Sequence, residues 1–249
     1  MNTYTGEVLE QGQLTVQPGL AYPYCMRLLE QSDLKAVMQL QSKIIAAMEQ
    51  KELYVPIPEE EMYYILAGNG ESLGVFVEDK LYAACSLLFK VDYEINMARE
   101  LNFSNDELAQ VSQLELSLVD PVLRGAKLQQ KLAGTLARRE EERKTTKYLF
   151  CTASPYNYAS IQTLTAIGLH IAKLCKMYYD WDRYVLYKDL TKPAQLDQAN
   201  SVSSLNTSFA EQQELLSKGY RGYAISRDHE GNKIMFAPII GFKQLDEVG

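Results

Sequence analysis

The residues with the most to offer chemically lie in one run, Val119-Asp120-Pro121-Val122-Leu123-Arg124-Gly125-Ala126-Lys127-Leu128-Gln129-Gln130-Lys131-Leu132. Before it, Gln110–Val119 alternates. Leu114, Leu116 and Leu118 fall on one face and Gln113, Glu115 and Ser117 on the other, the pattern of a half-buried strand. After it, Leu128, Leu132 and Leu136 recur every fourth residue, as on one face of a helix. A strand that hands over to a helix presents unbonded backbone N–H groups and the positive end of a helix dipole, which suits a phosphate. Gly125 allows a ligand to approach the backbone closely. Arg124, Lys127 and Lys131 add positive charge nearby. An ordinary strand–helix connection with solvated charges fits the same residues, and both readings stand at this point.

Other chemistries find little support. The two histidines, His170 and His229, are far apart and have no metal-ligand spacing to Cys, Asp or Glu, which argues against a zinc site or a His-based triad. The four cysteines, Cys25, Cys85, Cys151 and Cys175, form no C-x-x-C pair and read as buried reduced thiols. Gly68-Asn69-Gly70-Glu71-Ser72-Leu73-Gly74 follows a helix and precedes a strand, the reverse of a phosphate-gripping loop. A net charge of −7 is a poor basis for binding nucleic acid. No apolar run has the length of a bilayer span, and the first residues lack the features of a signal peptide. A soluble cytoplasmic protein with no membrane or nucleic-acid partner is expected.

The elements that must position the junction follow from periodicity. Tyr24–Leu29 reads as a strand, and Ser32 as the N-cap of a helix carrying Leu34, Val37, Met38, Ile44, Ile45 and Met48. A helix over 59–67 ends at Gly68, and two strands over 72–90 turn at Glu78-Asp79-Lys80. Residues 91–109 read as polar connection. Tyr148–Ala153 is an apolar strand, and Asn157 caps a short helix that stops at Gly168. Two further strands reach Leu190. The order β-α-α-β-β-β-α-β-α-β-β predicts an α/β fold with a mixed, partly antiparallel sheet flanked by helices. Residues 1–23 form an N-terminal segment that cannot be placed, 24–190 the main domain, and 191–207 a linker rich in Ser, Asn and Gln. Residues 208–249 form a small C-terminal α+β extension: a helix opened by a Ser208–Glu211 capping box, then a hairpin. This tail of about 40 residues is short for independent folding. It is expected to pack on the main domain or a partner chain, as a lid or a homodimer contact.

The stretch "LSLVDPVLRGAKLQQKL" resembles the phosphate-binding motif of the GNAT acyl-CoA N-acyltransferase superfamily, V-x-P-x-x-R-G-x-G-x-G/A between a strand and a helix. "SPYNYASIQTLTAIGL" is similar to that family's second motif, with its Asn, its Ala-Ser and its closing Gly. The element order from Tyr24 to Leu190 also fits; the tail lies outside the resemblance. The likeness implies acetyl-CoA as co-substrate and no metal. Its pyrophosphate would be held by the amides of Arg124, Gly125, Ala126, Lys127, Leu128 and Gln129. The pantetheine arm would pair with the backbone near Leu118 and Val119, where two strands splay, and would meet Asn157, with Ser160 one turn further along that helix. Two departures stand out. Lys127 and Gln129 replace family glycines, and Leu164 replaces a tyrosine that in many members protonates the departing thiolate.

Transfer to an amine needs a base and an acid. Glu115, on the polar face of its strand, is the candidate base. Tyr156, Tyr158, Tyr178 and Tyr179 are the available acids, with Tyr158 carried forward. The implied activity is an acyl-CoA-dependent, GNAT-type N-acetyltransferase (EC 2.3.1.-). It would acetylate a small-molecule or peptide primary amine by direct attack. The acidic chain favours a cationic acceptor. The alternative is a catalytically impaired acyl-CoA-binding or sensing protein, and a scaffold that binds no CoA is a third.

Overall fold

The computed structural model describes residues 6–17 and 20–242. Its strands are β1 (Val8–Gln17), β2 (Leu20–Leu28), β3 (Gly70–Val77), β4 (Lys80–Leu88), β5 (Val111–Val119), β6 (Tyr148–Ala153), β7 (His170–Met177), β8 (Trp181–Asp189), β9 (Ala194–Leu196), β10 (Val202–Leu205), β11 (Tyr220–Asp228) and β12 (Gly231–Phe242). Its α-helices are α1 (Leu34–Ala46), α2 (Glu59–Tyr64), α3 (Asn105–Leu108), α4 (Leu128–Arg143), α5 (Tyr158–Ala166) and α6 (Phe209–Ser217). The fold class is the one expected, a mixed α/β protein whose strands pair mostly antiparallel. No helix among the described residues is long and apolar enough to cross a membrane. The chain divides into two units.

Among the described residues, the first unit takes 6–17, 20–51, 55–90 and 114–142. β1 to β4 pair as consecutive antiparallel neighbours. β3 and β4 are almost continuously apolar because both faces are covered; Leu73, Val75, Ala83, Cys85 and Leu87 are fully buried. Val37 of α1, Met62 of α2 and Leu132 and Leu136 of α4 are buried from their own apolar stripes. The turn at Glu78-Asp79 has both residues left-handed (φ 49° and 62°), the geometry that matches a two-residue hairpin. Two expectations change here. Residues 8–17 form a strand that the sequence does not signal, because over 8–14 it is largely polar and solvated, with Leu14 buried. The cap before α1 is not Ser32. Asp33 is instead buried in a two-pronged pair with Arg27 at 2.7 Å for each prong, and also accepts the Glu30 amide.

Among the described residues, the second unit takes 52–54, 91–113 and 143–242. β6 pairs parallel with the start of β5, through Val111, Ser112 and Gln113, and antiparallel with β8, which pairs with β7. The 91–109 stretch is not simple connection. Phe103 packs edge-on against Tyr148, Phe150 and Tyr187 at 4.9, 5.5 and 5.9 Å, beside Met97, Ala98 and Leu108. Its apolar residues are spread over two short 3-10 turns, a coil residue and the one-turn helix α3, so neither a helical nor a strand period shows in the sequence. Gln113 is buried there, accepting the Met97 amide at 2.6 Å and donating to the Ile95 carbonyl at 3.3 Å. It is a structural residue, not part of an exposed polar face.

The extension continues this sheet. β7 meets β11 at Ile171–Gly222, where a Cβ on Gly222 would lie 2.9 Å from the Ile171 side chain. β11 pairs with β12, which carries β10 and β9. Thr191–Thr207, read as linker from its composition, therefore supplies two short strands. They are polar because much of their surface is solvated. The Tyr184 hydroxyl donates to Gln212 Oε1 at 2.7 Å, both side chains fully buried, and Gln212 donates to the Leu205 carbonyl at 2.6 Å. The Ser208 capping box does not form; Glu211 accepts from Ser204 Oγ at 2.6 Å instead.

Candidate functional site

In the first unit, β5 ends at Val119 and a tight turn leads into α4. Asp120 fixes this turn. Fully buried, it accepts the Val122 amide at 3.1 Å and the Lys43 ammonium at 2.5 Å, while its own amide donates to Tyr82 at 2.8 Å. Pro121 follows at the first position of a 3-10 turn, where its missing N–H costs nothing. The Asp120-Pro121 pair is a sequence signal of this anchor; the Lys43 partner has none.

The turn opens donors in a specific order. The Arg124 and Ala126 amides are used within it, bonding to Pro121 at 3.3 Å and Leu123 at 3.4 Å. Gly125 (φ 89°) and Lys127 (φ 55°) are both left-handed. Around Gly125 a Cβ would meet nothing within 4 Å, so its surroundings are open. The α4 ladder starts with the Lys131 amide on the Lys127 carbonyl at 3.0 Å, so the amides of Leu128, Gln129 and Gln130 precede it. Of the six amides that the resemblance assigns to a phosphate, those of Arg124 and Ala126 are thus engaged within the turn, whereas Gly125, Lys127, Leu128 and Gln129 have no such bond among the described residues. Arg124 and Lys127 are exposed and form no ion pair among the described residues. Lys131 is committed elsewhere, to Glu10 and to the Tyr24 hydroxyl at 2.6 Å, and does not serve the turn as a free charge.

The left-handed backbone at Lys127 gives a physical meaning to the glycine it replaces. The position needs a positive φ, which an L-residue with a Cβ adopts at a cost of about 1–2 kcal/mol. Gln129 is different, since it lies inside α4, where a side chain is harmless to the backbone. Leu118 is buried and Val119 half-buried; Glu115 is half-buried on the opposite side of the strand from Leu114 and Leu116.

In the second unit, α5 opens as expected. Asn157 Oδ1 accepts the Ser160 amide at 3.1 Å, and Asn157 Nδ2 donates one hydrogen to the Leu53 carbonyl at 3.2 Å. Cap and clamp fix the Asn157 side chain and leave its second amide hydrogen to point elsewhere. Tyr158 starts the helix under the Arg227 guanidinium, 4.8 Å from its ring, with Gln162 Nε2 at 3.5 Å from its hydroxyl. Ser160 is half-buried one turn in. Leu164 is 4% exposed and packs into the core. Tyr156, Tyr178 and Tyr179 are all exposed. Arg183 in β8, buried with an unpartnered nitrogen, was not anticipated, and a lone arginine in an alternating strand gives no sequence signal.

No protein-family model and no curated protein matches the sequence. Solved structures match the fold. A GNAT-family acetyltransferase from Streptococcus pneumoniae superposes with a TM-score of 0.52 at 15% identity, over 67% of this chain and 98% of its own. The ribosomal-protein-S18-alanine N-acetyltransferase of Escherichia coli gives 0.50 at 16% identity, over 67% and 94%. An N-acetyltransferase from Staphylococcus aureus Mu50 gives 0.50 at 14%, over 67% and 97%. The protein has the GNAT acetyltransferase fold.

Proposed function

We propose that this protein is an acyl-CoA-dependent N-acyltransferase that uses acetyl-CoA and acylates a primary amine on a small molecule or peptide. The observation that carries this reading is the turn after β5. It combines two left-handed residues, open space at Gly125, the leading amides of α4 and two exposed cations with no ion pair among the described residues. That donor set suits a pyrophosphate, and the acetyltransferases that share the fold supply the class of reaction. Gly125, Lys127, Leu128 and Gln129 would hold the phosphates through their amides, with Arg124 and Lys127 adding charge. The backbone at Leu118 and Val119 would hold the pantetheine arm. When bound, the thioester supplies the activated acyl group. Glu115 would accept the proton of the attacking amine at its carboxylate, directly or through one water. Tyr158 is retained as the proton donor, because Leu164 is an apolar core residue and cannot be one. Direct attack depends mainly on positioning, so no covalent enzyme intermediate is required.

The same Leu164 favours a second reading, a CoA-binding sensor without turnover. Following CoA release from acetyl-CoA across a panel of primary amines separates the two: turnover selects the enzyme, whereas saturable binding without turnover selects the sensor. Titration calorimetry with CoA tests both, since no saturable heat at millimolar CoA removes each of them. Arg124→Glu should weaken CoA binding by about tenfold; unchanged affinity would place the phosphates elsewhere.

A further inference from the structure

A recess where β7, β8 and β11 come together gathers positive charge. His170, Lys188, Lys192 and Arg221 line it, and Asp189 is the one carboxylate among its described lining residues. All of them belong to the second unit. The lining carries an excess of two positive charges with His170 neutral, in a chain whose net charge is −7. Asp189 is occupied as a turn cap: its Oδ1 accepts the Thr191 and Lys192 amides at 2.8 and 2.7 Å and the Thr191 hydroxyl at 2.7 Å.

Topology puts the charges together. β7 and β11 meet at Ile171 and Gly222, so His170 and Arg221, one step away on each strand, fall on the face opposite Ile171. His170 pairs with Tyr187, which brings Lys188 alongside. The Lys188 stem and ammonium lie 3.6 Å from where a Cβ on Gly168 would be. His170 registers the crowding, because burial first and then Arg221 and Lys188 push its pKa down to about 4. Arg221 is the least satisfied group. Its Nη1 donates to the Tyr220 carbonyl at 2.9 Å, whereas Nε is buried with no hydrogen-bond partner among the described residues. Lys192 is exposed. A buried guanidinium donor among like charges lowers stability unless an anion completes it.

We propose that this recess binds a tetrahedral dianion, a phosphate group either free or as the monoester of a small molecule, held by Arg221, Lys188 and Lys192. The cavity measures about 20 Å³, so it admits an anionic headgroup and leaves the rest of an ester outside. The excess of two positive charges matches a phosphate dianion, and a guanidinium edge suits its oxygens. Bound there, the anion would tie β11 of the extension to β7 and β8, where the β7–β11 register is a single pair. The site uses none of the residues assigned to acetyl-CoA and does not depend on the acyltransferase reading.

The test is calorimetric titration of the full-length protein at neutral pH with inorganic phosphate and with glycerol 3-phosphate, and with acetate as a planar monoanion. At least one of the two phosphates should bind saturably with a Kd of about 1 mM or tighter, and at tenfold the Kd should raise the melting temperature by about 3–5 °C. Arg221→Met should weaken binding by about tenfold or more and Lys192→Glu, at an exposed position, by about fivefold. Arg124→Glu should leave it unchanged. In NMR spectra the His170 ring signals should follow the same saturation curve, while those of His229, about 25 Å further along β11, stay in place. Equal affinity for the two phosphates makes the ion itself the ligand, and tighter binding of the ester makes it a phosphorylated small molecule; both support the site. No saturable binding in wild type overturns the proposal, as does tighter binding of acetate. So does affinity that persists in both Arg221→Met and Lys192→Glu, affinity lost in Arg124→Glu instead, or equal drift of both histidines. Should Arg221→Met fail to fold, Lys192→Glu decides alone.

Discussion

Lys127→Gly separates two roles that one side chain plays in the turn before α4. Lys127 is exposed and left-handed at φ 55°, so little packing is lost with its side chain and a backbone penalty is relieved. Relief amounts to about 1–2 kcal/mol, and the extra freedom of glycine in the unfolded chain takes back about 0.5–1 kcal/mol. The net is a stabilisation of about 0.5–1 kcal/mol, or roughly 2–3 °C in Tm for a chain of this size. Lys127→Ala retains the Cβ and the penalty but loses the charge, so it should melt within about 1 °C of wild type. For CoA affinity the order differs. Loss of an exposed cation beside the phosphates weakens binding about two- to fivefold in both variants. Glycine should then regain affinity over alanine if the Cβ or stem obstructs the phosphates. The assays are urea unfolding at constant m-value and calorimetry at two salt concentrations. A Lys127→Gly protein that melts at or below Lys127→Ala would refute the strain; identical salt dependence in all three proteins would refute the charge.

Three other outcomes are expected. Asp120→Ala removes both the Val122 cap and the Lys43 pair; because Lys43 is half exposed and can rehydrate, the cost in urea unfolding should be about 2 kcal/mol, most of it recovered by Asp120→Asn, which keeps the cap. Glu115→Gln should lower kcat at least tenfold with CoA affinity unchanged, and a rate profile that is the same for both proteins across pH 6–9 would exclude Glu115 as the base. His170 is held neutral, its pKa pushed down from 6.5 to about 4 by burial and then by Arg221 and Lys188. The unfolded chain therefore takes up its proton first as pH falls. The stability His170 contributes is whole above pH 6.5 and is lost progressively down to about pH 4, by as much as about 3 kcal/mol. His170→Gln should flatten that part of the stability curve, and parallel curves for the two proteins would show that the histidine is not held neutral.

The order of elements from β2 to β8 could be read in the sequence because each carries its own period: the Leu114–Leu118 alternation, the Leu128–Leu136 stripe and the Asn157 cap are local signals. The missing pieces were those whose pattern is decided by distant partners. β1 is solvated, so its alternation is faint. Phe103 and Met97 fill a core from irregular turns. Ser208 has the residue spacing of a capping box, but Glu211 finds Ser204 instead. In the site, resemblance located the turn and flagged Lys127 as out of place, but the left-handed backbone explains why. Arg183 has no local signature. Its character lies in a bond it does not make, which only three-dimensional accounting reveals.

The buried bond from Tyr184 to Gln212 has a consequence for synthesis on the ribosome. When β8 has emerged, the Tyr184 hydroxyl still lacks its acceptor, and Ile171 still lacks the strand that meets Gly222. A nascent chain halted near Leu190 would carry a raw sheet edge and a stranded hydroxyl, a target for chaperones and a seed for aggregation. The second unit can close only after α6, β11 and β12 leave the exit tunnel, so the C-terminal extension is the segment whose arrival completes folding.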